Sequence, residues 1–145
     1  MKSRFLQLIV VTMCLISISG CGAMGALDSR NLADKLERSL THYASALRWG
    51  RHREAVSFHV TRDGKTAEVY LDHIEQFSVT SFEFISKEII PSSEKEGITE
   101  AIIIGEMKYF HKEQGTIKEL DLTQIWWYNR EINTWLIETD FPEFK

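Results

Sequence analysis

The spacing of apolar residues changes after Gln76, and this change constrains the fold more than any other feature of the sequence. Between Leu32 and Leu47, apolar residues recur every three or four positions, which places them on one face of a helix. After Gln76, apolar and polar residues alternate, as they do along a half-buried strand. Helices followed by a run of antiparallel strands predict an α+β domain, with the helices packed on one face of the sheet.

Three helices are predicted before the change. The first begins at Asp28 or Ser29, either of which can cap the amino terminus of a helix. It ends at Gly50, because glycine accepts the left-handed conformation that closes many helices. The second helix covers residues 53–60 and the third covers residues 66–75.

The alternating part of the chain predicts a sheet of about four strands. In the first strand the alternation changes phase, which predicts a bulge near Thr80 or Ser81. Gly105 lies in the middle of the second strand, where glycine weakens pairing and often marks a bend. The strands cover residues 77–90, 99–112, 117–128 and 134–139.

The first twenty-one residues have the form of a secretion signal. A charged start precedes an apolar run, residues 5–18, that is shorter than the roughly 20 residues of a membrane-spanning helix. The run closes with Ile18-Ser19-Gly20-Cys21, which resembles the lipobox of bacterial lipoproteins: an aliphatic residue, two small residues and a cysteine. The resemblance implies that Cys21 receives a diacylglycerol, that cleavage falls between Gly20 and Cys21, and that the new amino group is acylated.

Two alternatives remain open for this segment: a plain signal peptide with an unrelated cysteine, and an uncleaved membrane helix. Gly20, Gly22 and Gly25 interrupt the apolar run and count against the membrane helix. Each methylene of a buried acyl chain contributes about 0.8 kcal/mol, so two or three chains hold a protein on a bilayer. The predicted organisation is a signal peptide over residues 1–20, a lipidated tether over residues 21–27 and a single domain over residues 28–145.

Net charge and cysteine content exclude some classes of function. The chain has 17 basic and 21 acidic residues. Loss of Lys2 and Arg4 with the signal leaves 15 against 21, a net charge of −6. An acidic domain has no electrostatic reason to bind nucleic acid, and anionic lipid repels it weakly. Cys14 leaves with the signal and Cys21 takes the lipid, so the domain keeps no thiol for a disulfide or a nucleophile. The lipobox resemblance implies that the lipid bilayer, reached through acylated Cys21, is the first partner.

The order of elements, the segment from Tyr43 to Phe58 (YASALRWGRHREAVSF) and the aromatic final hairpin (WWYNREINTWLIE) resemble the NTF2-like superfamily and its small envelope lipoproteins. The resemblance implies a strongly curved sheet that wraps around the first helix to form a cone, often with a pocket inside. A cystatin-like sheet wrapped on a helix is the alternative. The lipoprotein resemblance implies a place at the cell membrane. In a Gram-negative cell it implies the outer membrane facing the periplasm, because Gly22 and not an aspartate follows Cys21.

Aromatic residues are the candidates for the lining of such a pocket. Trp126 and Trp127 are adjacent, so they point to opposite faces of any regular strand, and one must lie on a second packed face or on an exposed contact surface. The whole group either fills the core or forms a pocket or interface for an apolar ligand or an envelope protein. The candidates are Tyr43, Trp49, Met107, Tyr109, Trp126, Trp127, Tyr128 and Trp135.

The sequence offers no catalytic motif, metal site or cofactor motif. Its histidines lack the His-x3-His spacing that places two ligands on one helical face. Glu106 and Asp121 are the carboxylates considered for acid-base chemistry, but both lie on mixed strand faces where exposure is expected. The histidines are His42, His52, His59, His73 and His111.

The sequence therefore predicts an envelope lipoprotein with a binding domain that has no catalytic residues. The alternatives are an isomerase or hydrolase that acts in an NTF2-like pocket, and a structural subunit that needs the membrane only for its location. A carboxylate buried beside a tyrosine in a closed pocket would favour the enzyme. A filled cone with Trp126 or Trp127 exposed would favour the binding domain.

Overall fold

The computed structural model describes residues 22–90 and 99–145. The predicted signal peptide, Cys21 and most of the loop between the first two strands lie outside the described residues. The chain divides into two units, one that ends at Asp34 and one that comprises Lys35–Lys145. The described part of the first unit is helical throughout, and the sheet belongs to the second unit.

Three helices precede the sheet: α1 (Gly22–Arg48), α2 (His52–Ser57) and α3 (Leu71–Ile74). Gly50 follows α1 with a φ of +66°, so the prediction that this glycine closes the first helix is confirmed. None of the helices in residues 22–90 and 99–145 combines the length and the apolar composition needed to cross a bilayer.

The start predicted for the first helix is wrong. The helix begins at Gly22, before the predicted caps Asp28 and Ser29. Four of the residues 22–27, two alanines, a methionine and a leucine, are good helix formers, and extension of an existing helix adds one hydrogen bond per residue, which offsets the cost of Gly22 and Gly25. A helical segment rises about 1.5 Å per residue, less than half the reach of an extended chain.

The second and third helices are shorter than predicted. The second ends at Ser57 and not at Val60, and the third begins at Leu71 and not at Thr66. Val60 and Thr66 form an isolated antiparallel bridge with each other, which removes both from helical conformation. A pairing between two segments has therefore overridden the helical spacing within each.

The four predicted strands form one open antiparallel sheet, so the α+β class is confirmed. Each strand pairs with its neighbours in sequence, in the order β1-β2-β3-β4. The turn before β4 contains Asn133 in the left-handed region, with a φ of 57°. The strands are β1 (Phe77–Ile90), β2 (Glu100–His111), β3 (Ile117–Asn129) and β4 (Thr134–Ile137).

Strand β1 has two register irregularities. The first lies between Val79 and Ser81 and confirms the predicted bulge, and the second lies between Phe84 and Ser86. Gly105 of β2 pairs with Phe84 at the second irregularity. A Cβ atom at Gly105 would come within 2.9 Å of a backbone oxygen of β1 and 3.4 Å of a phenylalanine ring. Glycine at this position therefore permits the close approach of the two strands.

Replacement of Gly105 by alanine should destabilise the protein by about 1–3 kcal/mol, because the new methyl group overpacks against backbone that cannot move away freely. Without that clash the same change would stabilise the fold by about 0.4–1 kcal/mol, since alanine restricts the unfolded chain. Urea unfolding of Gly105→Ala measures the sign of the change in stability. Ser86→Ala, at an exposed position of β1, is the control. An increase in the unfolding midpoint would contradict the close approach.

Candidate functional site

One face of the sheet forms the core. In β2 the side chains of Ala101, Ile103, Met107 and Tyr109 are at most 4% exposed, whereas Ile104 on the opposite face is 41% exposed. Burial therefore alternates along this strand, as it does in a half-buried strand. The inward face packs against α1 and the segments that follow it.

The residues predicted as a pocket or interface are almost all buried. Trp49 is the exception, with 77% of its surface exposed at the end of α1. None of the predicted residues lines either of the two grooves described below. The buried members, all at most 9% exposed, are Tyr43, Met107, Tyr109, Trp126, Trp127, Tyr128 and Trp135.

Tyr43 of α1 lies at the centre of the interior. Its ring meets three other rings edge to face or nearly so, with centroid separations of 5.7–5.8 Å. Such pairs contribute about 0.5–1.5 kcal/mol each beyond the area that they bury. The partners are Phe58 after α2, Phe82 of β1 and Trp126 of β3.

A chain of hydrogen bonds passes through the Tyr43 hydroxyl. Trp126 Nε1 donates to Gln124 Oε1 at 3.2 Å, and Gln124 Nε2 donates to the Tyr43 hydroxyl at 3.2 Å. The hydroxyl lies 3.0 Å from His59 Nε2, and His59 Nδ1 lies 2.8 Å from the carbonyl oxygen of Thr139. The four side chains are at most 3% exposed, so we call this set the buried network.

The acceptor at one end of the buried network sets the direction of every bond. A carbonyl can only accept, so Nδ1 of His59 carries the hydrogen and Nε2 accepts one from the Tyr43 hydroxyl. Burial lowers the pKa of His59 from 6.5 to about 4, against the opposing effects of the Thr139 carbonyl and Asp140, which keeps the ring neutral. Burial likewise raises the pKa of Tyr43 far above its ordinary value. The network is thus satisfied with neutral groups.

The carboxylates considered for acid-base chemistry lie elsewhere. Asp121 is exposed and pairs in register with Glu106 on the outer face of the sheet. Lys108 forms ion pairs with Glu106 at 3.4 Å and Glu119 at 3.0 Å. The phenol of Tyr43 therefore has histidine and glutamine as its hydrogen-bond partners, and not a carboxylate.

Trp127 lies on a second packed face of the sheet. The sequence allowed either this position or an exposed contact surface. Trp127 is 9% exposed, and its Nε1 donates to the carbonyl oxygen of Val60 at 2.8 Å. Arg62, two residues further on, bridges Glu100 at 2.5 Å and Glu138 at 3.6 Å. The segment after α2 therefore covers this end of the outer face, and Trp127 is not an exposed contact surface.

A groove of about 560 Å³ lies between the segment 67–74 and the carboxyl-terminal segment 140–145, and we call it the C-terminal groove. Tyr70 stands at this groove with 87% of its surface exposed, while Phe141 and Phe144 are buried beneath it. Sequence reasoning missed this groove, because it predicted a helix over residues 66–75, whereas the helix covers only Leu71–Ile74. Its lining residues are Ala67, Glu68, Val69, Tyr70, His73, Ile74, Asp140, Phe141, Pro142, Glu143, Phe144 and Lys145.

The carboxyl-terminal wall of the groove is attached to the sheet and to α3. The Phe144 ring stacks on Phe77 of β1 with a centroid separation of 5.4 Å and meets Tyr109 of β2 edge to face at 5.1 Å. The Phe144 carbonyl oxygen lies 3.2 Å from Nε2 of His73. Lys118 donates to the carbonyl oxygen of Lys145 at 2.6 Å. These contacts make the wall a defined surface.

A smaller groove of about 250 Å³ lies between α1 and the turn before β4. Lys35, Arg38 and His42 line it, and no carboxylate does. The Lys35 ammonium already donates to the Tyr128 hydroxyl at 2.9 Å and to Asn133 Oδ1 at 2.6 Å, so its main role is to attach α1 to the β3–β4 turn. Among residues 22–90 and 99–145, no group of three or more histidine, cysteine, aspartate or glutamate side chains could hold a metal ion.

Comparison with known proteins gives no match: no protein-family model, no curated protein and no solved structure is similar to this chain. The function must therefore be inferred from the chemistry of the chain itself. That chemistry consists of a closed aromatic interior held by the buried network, and an open, acidic and partly apolar C-terminal groove.

Replacement of Tyr43 by phenylalanine should cost about 1–3 kcal/mol of stability, because it leaves a buried Gln124 N–H and His59 Nε2 without a partner. The matched control is Tyr70→Phe, which removes a hydroxyl from an exposed ring and should change stability by less than about 0.5 kcal/mol. Both are measured by urea unfolding. Equal stability of the two variants would show that the buried network contributes nothing.

Stability should fall as pH is lowered from about 6.5 to about 4. The pKa of His59 is lower in the folded state, so the unfolded chain binds more protons in this window and acid favours unfolding. A pKa difference of this size corresponds to about 3 kcal/mol once both states are protonated. His52, whose pKa is also lowered, mainly by burial and then by Lys112, acts in the same direction.

Unfolding midpoints measured at several pH values test the effect of His59. His59→Asn should remove most of the pH dependence of the unfolding midpoint. His42→Asn, at an exposed position of α1, should leave this pH dependence unchanged. A wild-type midpoint that is constant across this window would contradict a neutral, buried His59.

Proposed function

We propose that this protein is an envelope lipoprotein, anchored through Cys21, whose α+β domain binds a partner and does not turn over a substrate. The observation that carries the proposal is the ending Ile18-Ser19-Gly20-Cys21 behind a short apolar run. Acylation would place the domain at the membrane surface. In a Gram-negative cell this surface is the periplasmic face of the outer membrane.

We infer an NTF2-like arrangement of the sheet around α1. Two observations support it: Tyr43 of α1 contacts rings on both β1 and β3, and β1 has two register irregularities. Bulges bend a strand and increase its twist, which a sheet that wraps around a helix requires. The sequential order of the four antiparallel strands is compatible with the same arrangement.

The filled interior favours a binding role on the surface over catalysis in a cone. The side chains predicted to line a pocket are buried, except for Trp49, and Tyr43 and His59 are at most 2% exposed. An isomerase or hydrolase would need its acid or base to reach a bound substrate. The C-terminal groove, in contrast, presents carboxylates and an exposed ring at the surface of the domain.

Replacement of Cys21 by serine tests the anchor. The wild-type chain, expressed in a bacterial host, should fractionate with membranes and carry the mass of a diacylated or triacylated amino terminus, and Cys21→Ser should lose both properties. Cys14→Ser is the matched control, since a thiol in the removed signal should not matter. Mature wild-type protein with an unmodified amino terminus would contradict the proposal.

A further inference from the structure

The C-terminal groove combines an exposed ring with a buried apolar base. Tyr70 is 87% exposed, the largest fraction among the exposed large apolar side chains of the described residues. Phe141, Phe144 and Ile74 are each at most 9% exposed, so the base of the groove is firmly packed. An exposed aromatic ring beside a groove is the kind of anchor that dominates many protein interfaces.

The charges of the groove select a cationic partner. Glu68, Asp140 and Glu143 supply three carboxylates, against the single ammonium of Lys145. Lys145 pairs with Glu143 at 3.3 Å, and both side chains are about 80% exposed, so the pair is weak. Glu68 and Asp140 form no ion pair with any residue of the described chain. A basic side chain in the groove would meet two uncompensated carboxylates.

The backbone of the groove favours an extended peptide over a compact ligand. The segment between the Val60–Thr66 bridge and α3 is neither helix nor strand. Within the described chain, the backbone N–H groups of Glu68 and Val69 donate to no acceptor, whereas Ala67 donates to His59 at 3.0 Å. Free backbone donors beside an open groove can pair with the carbonyl groups of an added chain segment.

We propose that the C-terminal groove binds an extended segment of a partner protein that carries a basic residue next to an aromatic or aliphatic residue. The apolar side chain packs against Tyr70, and the basic side chain pairs with Glu68 and Asp140. The site deepens the binding role proposed above and rests on it, but it does not depend on acylation, because every residue involved belongs to Lys35–Lys145.

Peptide binding to the full chain in detergent micelles tests the site. The probe is a short fluorescent peptide that alternates lysine with phenylalanine. Its controls alternate glutamate with phenylalanine and lysine with serine. The lysine–phenylalanine peptide should bind at least about tenfold more tightly than either control, since it alone has both elements. Binding weaker than about 1 mM, or equal binding of the glutamate–phenylalanine peptide, overturns the proposal.

Two pairs of variants locate the binding. Tyr70→Ala should weaken binding of the lysine–phenylalanine peptide about tenfold, and Trp49→Ala, which removes an equally exposed ring outside the groove, should change it less than about twofold. Glu68→Gln combined with Asp140→Asn should weaken binding and reduce its salt dependence. Glu113→Gln combined with Glu131→Gln removes two exposed carboxylates elsewhere and should do neither.

Two further measurements distinguish a peptide from a small organic cation in the groove, and they test the groove separately from the lipid anchor. Full displacement of the peptide by tetraethylammonium at a similar concentration would identify a site for small organic cations and overturn the peptide assignment. Cys21→Ser should bind the peptide as the wild type does. Peptide binding by a wild-type chain that mass spectrometry shows to be unacylated would contradict the anchor alone, and an acylated wild-type chain that fails to bind would contradict the groove alone.

Discussion

The hydroxyl of Tyr43, placed between Gln124 and His59, is the contact on which the interior depends. It joins three parts of the chain that are far apart in sequence: α1, strand β3 and, through His59, the segment after β4. In a region of low dielectric, a polar group without a partner is costly, so such a chain of bonds favours one arrangement of these segments over its alternatives. The aromatic rings supply the area buried, and the hydrogen bonds determine how the rings are arranged.

The same network connects the interior to the surface. Thr139 accepts the hydrogen bond of His59, and the next residue, Asp140, begins the wall of the C-terminal groove. Phe141 continues this connection, because its ring meets the His59 ring at 5.0 Å and faces Phe144 at 6.3 Å. The position of the groove is thus set by contacts within the core, which explains how an open surface can keep a defined shape.

A filled interior also determines where function can lie. Large aromatic side chains of the described residues are buried in the interior, which is why we propose binding at the surface. There the domain presents unpaired carboxylates beside an exposed ring in the C-terminal groove. In the two proposals, acyl chains would hold the protein at the bilayer, and the folded unit would recognise a partner.

The sequence by itself determined the α+β class, the strands and their inward faces, the bulge in β1 and the role of Gly50, because each depends on the spacing of neighbouring residues. Only the tertiary structure decided the lengths of the helices, the cover over Trp127 and the exposure of Tyr70. Those features depend on pairs such as Val60 with Thr66 and His59 with Thr139, the latter 80 residues apart. A local pattern shows which side of a helix or strand is buried, but it does not show which distant segment covers that side. The C-terminal groove depends on the position of such a distant segment, residues 140–145.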